Sequence, residues 1–268
     1  MKYNLITKSL FRRRWILLFR SFFITGLLSS LYMSAIAQDE SEDTYNSSKG
    51  VHFGFNAGAA YSKIININTI IISEPYFNKT DYRLWDNWKP RYPHVGAFID
   101  YNVASWFYVS AELGYDDEGG NVRFHNSMDY NYAMDFNYQY INVIPMIGVR
   151  PLNWLYFAVG AQYGLNVAEN QIYFKTLPGP GYEPAFGTDP EQQQQLRNVL
   201  KGKDEFGATA VLGFIVWNKF GIETRYHRGT KNVVEVEDNS YNFVPQQCLT
   251  YSVELLLTYR LPLHSNNK

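Results

Sequence analysis

Cysteine is almost absent from this chain: Cys248 stands alone, so no internal disulfide can form. An excess of charge of either sign is also lacking. The net charge is −1 at pH 7, which removes the electrostatic case for a nucleic-acid partner. Beyond the N-terminal leader there is no apolar run of the roughly 20 residues that a spanning helix requires, and mean hydropathy is −0.30. A helical membrane protein is thereby excluded. A strand-crossing one is not, because half of each such strand is polar. The histidines, His52, His94, His125, His227 and His264, show no metal-ligand spacing, and none belongs to a Ser-His-Asp set. Neither a glycine-rich phosphate loop nor a zinc pattern appears. The sequence therefore gives no catalytic residues, no cofactor and no metal site.

What the chain does have is period-two alternation, returning with turns between from residue 51 to 261. In its clearest stretch, Phe107, Val109, Ala111, Leu113 and Tyr115 share one face, while Tyr108, Ser110, Glu112 and Gly114 share the other. Successive strand side chains point to opposite sides, so one face is apolar and the other polar or small. The segments have about the length that crosses a bilayer when tilted. Aromatic content is 17%, with 22 Tyr, as expected where rings belt both membrane interfaces. The fold expected is all-β: an eight-stranded antiparallel up-and-down transmembrane β-barrel, apolar outside and polar inside, with long extracellular loops.

The N-terminus carries the marks of an export signal. Lys2, Lys8, Arg12, Arg13, Arg14 and Arg20 form a positive region, residues 21–34 an apolar core, and Ala35-Ile-Ala37 a small-x-small cleavage site. Residues 1–37 thus read as a signal peptide for Sec-type export, 38–49 as a disordered acidic periplasmic segment, 50–261 as the barrel and 262–268 as a tail. The location expected is the outer membrane of a Gram-negative bacterium.

Eight strands are expected near residues 51–63, 92–103, 107–115, 136–150, 154–168, 205–217, 220–226 and 248–261. Connections alternate short and long, the long ones being 64–91, 116–135, 169–204 and 228–247. Short turns belong to the periplasmic side and long loops to the outside of such barrels, and an even strand count returns both termini to one side. Trp106, Trp154, Trp217 and Phe220 fall at the short-turn ends; Tyr61, Tyr92, Tyr115, Tyr140, Tyr163 and Tyr226 fall toward the long loops. These are the expected aromatic girdles. Pro145 cannot donate to a ladder, so a bulge is expected there. Residues 64–73 read as strand continuing above the membrane, and 190–200 as a short helix. Tyr76, Phe77, Tyr82, Trp85 and Trp88 make the first loop aromatic, either packing the loops together or forming a binding surface.

By parity the lumen receives His94, Asp100, Glu112, Tyr140, Arg150, Gln162, Glu223, Arg225, Glu254 and Arg260. Glu112, Glu223 and Glu254 have the composition of an acid cluster for catalysis. A small barrel filled with side chains, its carboxylates paired with Arg225 or Arg260, accounts for them more simply.

Two stretches carry a family resemblance. Tyr140-Ile-Asn-Val-Ile-Pro-Met-Ile-Gly-Val-Arg150 resembles the "YlxiPlllkyr" strand of PorT-like outer-membrane β-barrel proteins. Phe206-Gly-Ala-Thr-Ala-Val-Leu-Gly-Phe214, followed by Gly221-Ile-Glu-Thr-Arg-Tyr226, resembles that family's next hairpin. The resemblance covers residues 50–261 and implies an eight-stranded, OmpX-like barrel, usually of undefined function. Some members assist a dedicated protein secretion system at the outer membrane. No functional residue carries over from it. The function expected is a monomeric, non-enzymatic barrel in outer-membrane lipid, engaging outer-membrane or secretion-system proteins through its loops or periplasmic rim. A small passive channel and a lipid-modifying enzyme are the alternatives.

Overall fold

The computed structural model describes residues 50–71, 82–126, 131–168, 171–177, 190–217, 219–239 and 243–261. The leader, the acidic segment, the tail, Tyr76 and Phe77 lie outside them. Eight antiparallel strands close into a ring: β1 (Gly50–Ile65), β3 (Lys89–Asn102), β4 (Phe107–Asn126), β5 (Asn131–Leu152), β6 (Leu155–Asn166), β9 (Glu205–Trp217), β10 (Phe220–Gly229) and β12 (Leu249–Arg260), which pairs back onto β1. Closure leaves the ring without an unpaired edge. The register runs through Ala57↔Leu257 on one side of β1 and Phe55↔Ala97 on the other. Gly50 and Leu261 lie at the same end, where Leu261 N–H donates to the Phe53 carbonyl.

Side-chain parity follows from the pairing. On β4 the outward positions include Val109 and Leu113, while Tyr108, Ser110, Glu112, Asp116 and Glu118 are buried inside. On β9, Phe206 and Phe214 face out, and Glu205, Thr209 and Val211 face in. A closed ring with exposed Leu113, Val159 and Leu257 on its outer wall is the reverse of a water-soluble barrel. Pro145 makes no bulge. The β5–β6 ladder steps from Val143↔Tyr163 to Met146↔Gly160 in unchanged register, and Pro145 stays paired with Ala111 on the β4 side. The missing N–H is accommodated by skipping two rungs rather than inserting a residue. The register shift of β5 falls instead between Val149 and Leu152, at the turn.

The long connections are built, not open. A bilayer needs about 9–11 residues per strand, whereas β4 has 20 and β5 has 22. The stretch expected as loop at 116–135 is the upper half of this hairpin. It is flanked by β2 (Tyr82–Asn87) on β4 and β7 (Ile172–Leu177) on β5, making a four-stranded sheet above the ring. Residues 64–73 do not continue as strand: β1 stops at Ile65, Asn66 turns with φ of 62°, and α1 (Ile67–Ile71) follows. Asn tolerates that left-handed conformation, and the i, i+3 spacing of Ile67 and Ile70 then puts both inside. Helix α2 (Pro190–Val199) and a two-stranded ribbon of β8 (Leu200–Gly202) and β11 (Val234–Val236) complete the upper body.

An apolar cluster fills it, drawing Ile64, Ile67, Ile70, Val122, Phe136 and Tyr138 together with Leu196, Leu200 and Cys248. The aromatic first loop contributes Trp88 to the outer wall, stacked on Tyr61 with centroids 5.5 Å apart and Lys63 Nζ over its ring. Its tight joint depends on Gly119, whose φ of 151° favours glycine. A Cβ there would lie 1.9 Å from the Phe136 carbonyl. This lets β4 lean inward until Ser62 Oγ donates to the Gly119 carbonyl at 2.9 Å.

Candidate functional site

The lumen is layered from the short-turn end to the long-loop end. In the lowest layer Arg150 donates to Asn102 and lies 3.5 Å from Asp100, with its guanidinium over the Tyr108 ring at 4.2 Å. Arg260 lies 3.8 Å from the same Asp100 carboxylate and over Tyr156 at 5.0 Å. Each guanidinium therefore has an anion and an aromatic face.

The middle layer joins opposite walls. Arg225 on β10 donates through Nη1 and Nη2 to both oxygens of Glu112 on β4, at 2.9 and 2.8 Å. It also donates to Glu223 Oε1 at 2.6 Å, while Tyr156 Oη donates to Glu223 Oε2 at 2.9 Å. Asn56 donates through Nδ2 to Glu112 at 2.8 Å, and its Oδ1 accepts from His94 Nε2 at 3.1 Å. β4 and β10 stand four places apart around an eight-membered ring, so this bidentate pair spans the lumen. Arg225, Glu112 and Glu254 are each buried, and buried charges persist only when paired and hydrogen-bonded.

Above it lie two groups of acids with histidine. His94 Nδ1 contacts Asp116 and lies 3.4 Å from Glu254, whose other oxygen accepts from Ser252 Oγ. Higher, His227 Nε2 lies 2.9 Å from Glu205 Oε1, and His227 Nδ1 lies 3.2 Å from Thr209 Oγ1. Thr209 Oγ1 donates in turn to Gln162 Oε1 at 3.1 Å. Glu118 completes this group, its ligand atom and those of Glu205 and His227 lying within 4.8 Å of one another.

All the residues expected in the lumen are buried, His94, Asp100, Glu112, Tyr140, Arg150, Gln162, Glu223, Arg225, Glu254 and Arg260 among them. Glu112, Glu223 and Glu254 all touch Arg225, Glu254 at 3.9 Å, while Arg260 lies 3.8 Å from Asp100. Tyr140 is the exception among the girdle residues. It points inward, donating to the Lys203 carbonyl at 3.3 Å, because its parity opposes that of Ile141. Trp106, Trp154, Trp217 and Phe220 are exposed on the outer wall at the short-turn end, as are Tyr61, Tyr163 and Tyr226 toward the other; Tyr115 is half-exposed.

Sequence spacing did not find the two histidine–carboxylate groups, because their members come from different strands. Glu118, Glu205 and His227 sit on β4, β9 and β10. Parity carried beyond Tyr115 would have placed Asp116 and Glu118 with Glu112.

The match with known families follows this geometry. The family described as the outer membrane protein beta-barrel domain matches residues 36–235. The chain belongs to that family. In an outer-membrane barrel the short turns are periplasmic and the long hairpins extracellular, which is the orientation expected for the apolar-cored body. Solved structures similar to this barrel include OprG of Pseudomonas aeruginosa (11% identity, 81% of this chain and 99% of that one, TM-score 0.40). Two others are Ail of Yersinia pestis in complex with the heparin analogue sucrose octasulfate (13%, 79% and 99%, 0.35) and Neisserial surface protein A (9%, 79% and 99%, 0.36). No curated protein matches the chain.

Proposed function

We propose that this outer-membrane barrel is a non-conducting, non-enzymatic scaffold that engages protein partners through its extracellular body. The carrying observation is how the two halves of the lumen are used. Below, Arg225 bridges Glu112 and Glu223 across the ring; above, the hairpins enclose an apolar core instead of a vestibule. A chain that only conducted would have no use for strands about twice the length a bilayer requires. A surface that receives another protein gains from a rigid, raised sheet. The likeness of residues 140–150 and 206–226 to PorT-like proteins supports an outer-membrane or secretion-system protein as the partner.

Three measurements decide it. Purified protein in planar bilayers should give flat traces, and stepwise conductance would favour the passive channel. A photo-crosslinker at Arg123 or Asp238, both exposed on the long-loop side, should trap a discrete membrane-protein adduct in intact cells. The same probe at lipid-facing Leu113 should not. Equal adducts at all three positions would sink the scaffold reading, and altered lipid A or phospholipid in a deletion strain would favour the enzyme.

A further inference from the structure

The upper histidine–carboxylate group differs from the layers beneath it in having no Lys or Arg side chain among the described residues. Glu112, Glu223 and Glu254 share Arg225. Glu118 and Glu205 have no Lys or Arg partner among the described residues, and both are fully buried, as is His227. Both oxygens of Glu118, and Glu205 Oε2, have no hydrogen-bond partner among the described residues. Two fully buried carboxylates, one with no donor to either oxygen among the described residues, form an incomplete arrangement.

The hydrogen bonding of His227 says what completes it. Thr209 gives its hydroxyl proton to Gln162 Oε1, which can only accept. The Thr209 oxygen therefore accepts from His227 Nδ1–H, and the network assigns the ring proton to Nδ1. Nε2 faces Glu205 Oε1 at 2.9 Å, where either a proton or a metal ion can join the two atoms. Fixing the far ring nitrogen by a hydrogen bond is how a protein orients a histidine toward a metal. A proton between His227 and Glu205 would resolve that pair yet leave Glu118 unmatched. An ion reaching all three would resolve both.

We propose that Glu118, Glu205 and His227 bind one divalent transition-metal ion of the zinc type, stapling β4 to β9 and β10 across the lumen. One imidazole nitrogen with two carboxylates suits zinc, whereas calcium and magnesium favour oxygen alone. Ligand atoms about 2.0–2.2 Å from zinc lie about 3.3–3.6 Å apart in tetrahedral geometry, and these three already lie within 4.8 Å of one another. The site is closed above by Tyr138, Tyr140 and the apolar cluster, and below by the Arg225 network. The ion therefore enters as the barrel folds, and binding free energy becomes folding free energy.

The test refolds the full mature chain into detergent micelles with ZnCl2 or with chelator, then measures retained zinc and the unfolding temperature. About one zinc per chain and a zinc-dependent rise in unfolding temperature are expected. His227→Gln should weaken retention about tenfold or more. Glu118→Gln has a two-signed signature: it removes like-charge repulsion, so it stabilises the chelated protein, and it abolishes the rise with zinc. Glu237→Gln, in the exposed ribbon, should change neither. Should a lumen variant fail to fold by heat-modifiable mobility, cobalt(II) refolded into the unsubstituted chain must show visible absorption and a nitrogen ligand by X-ray absorption. Absence of retained metal and of any zinc-dependent shift would overturn the proposal, leaving a protonated carboxyl pair. Loss of metal in His94→Gln with retention in His227→Gln would also overturn it, moving the ion to the group below.

Discussion

At the scale of single residues, adjacent positions on one strand obey opposite solvents. Leu113 is 57% exposed on the lipid side of β4, and Glu112, one bond along, is 3% exposed in the lumen. Leu113→Arg is expected to impair assembly, since a lipid-facing Arg near the midplane costs about 2–4 kcal/mol. Glu112→Gln should be tolerated better, because an amide still accepts from Arg225. The fraction folded by heat-modifiable gel mobility checks this, and equal damage from both would refute the register. Arg225 is the more sensitive member of its pair. Its removal leaves Glu112 and Glu223 buried without a counter-charge, and Arg225→Met should cost about 3–5 kcal/mol in denaturant unfolding. Adding Glu112→Gln to that variant should return part of the loss. If the double variant were less stable than Arg225→Met alone, the two residues would not be coupled as the geometry requires.

At the scale of elements, the sheet above the ring has the edges that closure removes below. Strand β7 is one such edge, and α2 covers it with side chains that imitate a strand. Gln193 accepts from the Phe174 N–H at 3.0 Å and donates to the Phe174 carbonyl at 2.6 Å. Arg197 Nε donates to the Ile172 carbonyl at 3.0 Å. Gln193→Ala should therefore free a backbone edge at about 1–3 kcal/mol. The expected readout is faster proteolysis between β7 and α2 with unchanged heat-modifiable mobility of the ring. No change in cleavage would show that α2 holds by its apolar contacts alone. These elements also mark where the sequence stops being readable. Within the bilayer one face must be apolar, so alternation is plain in β1, β4, β6 and β12, and parity alone delivers Glu112, Glu223 and Glu254 to the lumen. Above the bilayer the outer face meets water, and outward positions such as Asp117 no longer contrast with inward Asp116 and Glu118. The pattern fades there although β4 continues to Asn126. Helix α1 was hidden by an isoleucine-rich run that has strand propensity, and Asn66 decides it. The edge cap by Gln193 depends on a contact between segments that no local pattern contains.

At the scale of the whole molecule, Gly50, Leu261, the short turns and the tryptophan-rich girdle share one end, and the apolar-cored body occupies the other. Sidedness follows from membrane insertion if that body lies outside the cell. The only thiol, Cys248, is buried within it, so introduced cysteines can be read against a silent background. Lys231 is exposed at the long-hairpin end, after β10, and Lys219 is exposed at the short turn before it. The ten residues of β10 separate them by about the hydrocarbon thickness. Lys231→Cys should react with a membrane-impermeant maleimide on intact cells. Lys219→Cys should react only after the outer membrane is permeabilised, and the wild-type chain only after denaturation. The inverse pattern at the two sites would place the hairpin body in the periplasm, and the scaffold would then face inward. Reaction of wild-type Cys248 on intact cells would mean that the apolar body opens, and with it the enclosure above Glu118 and His227.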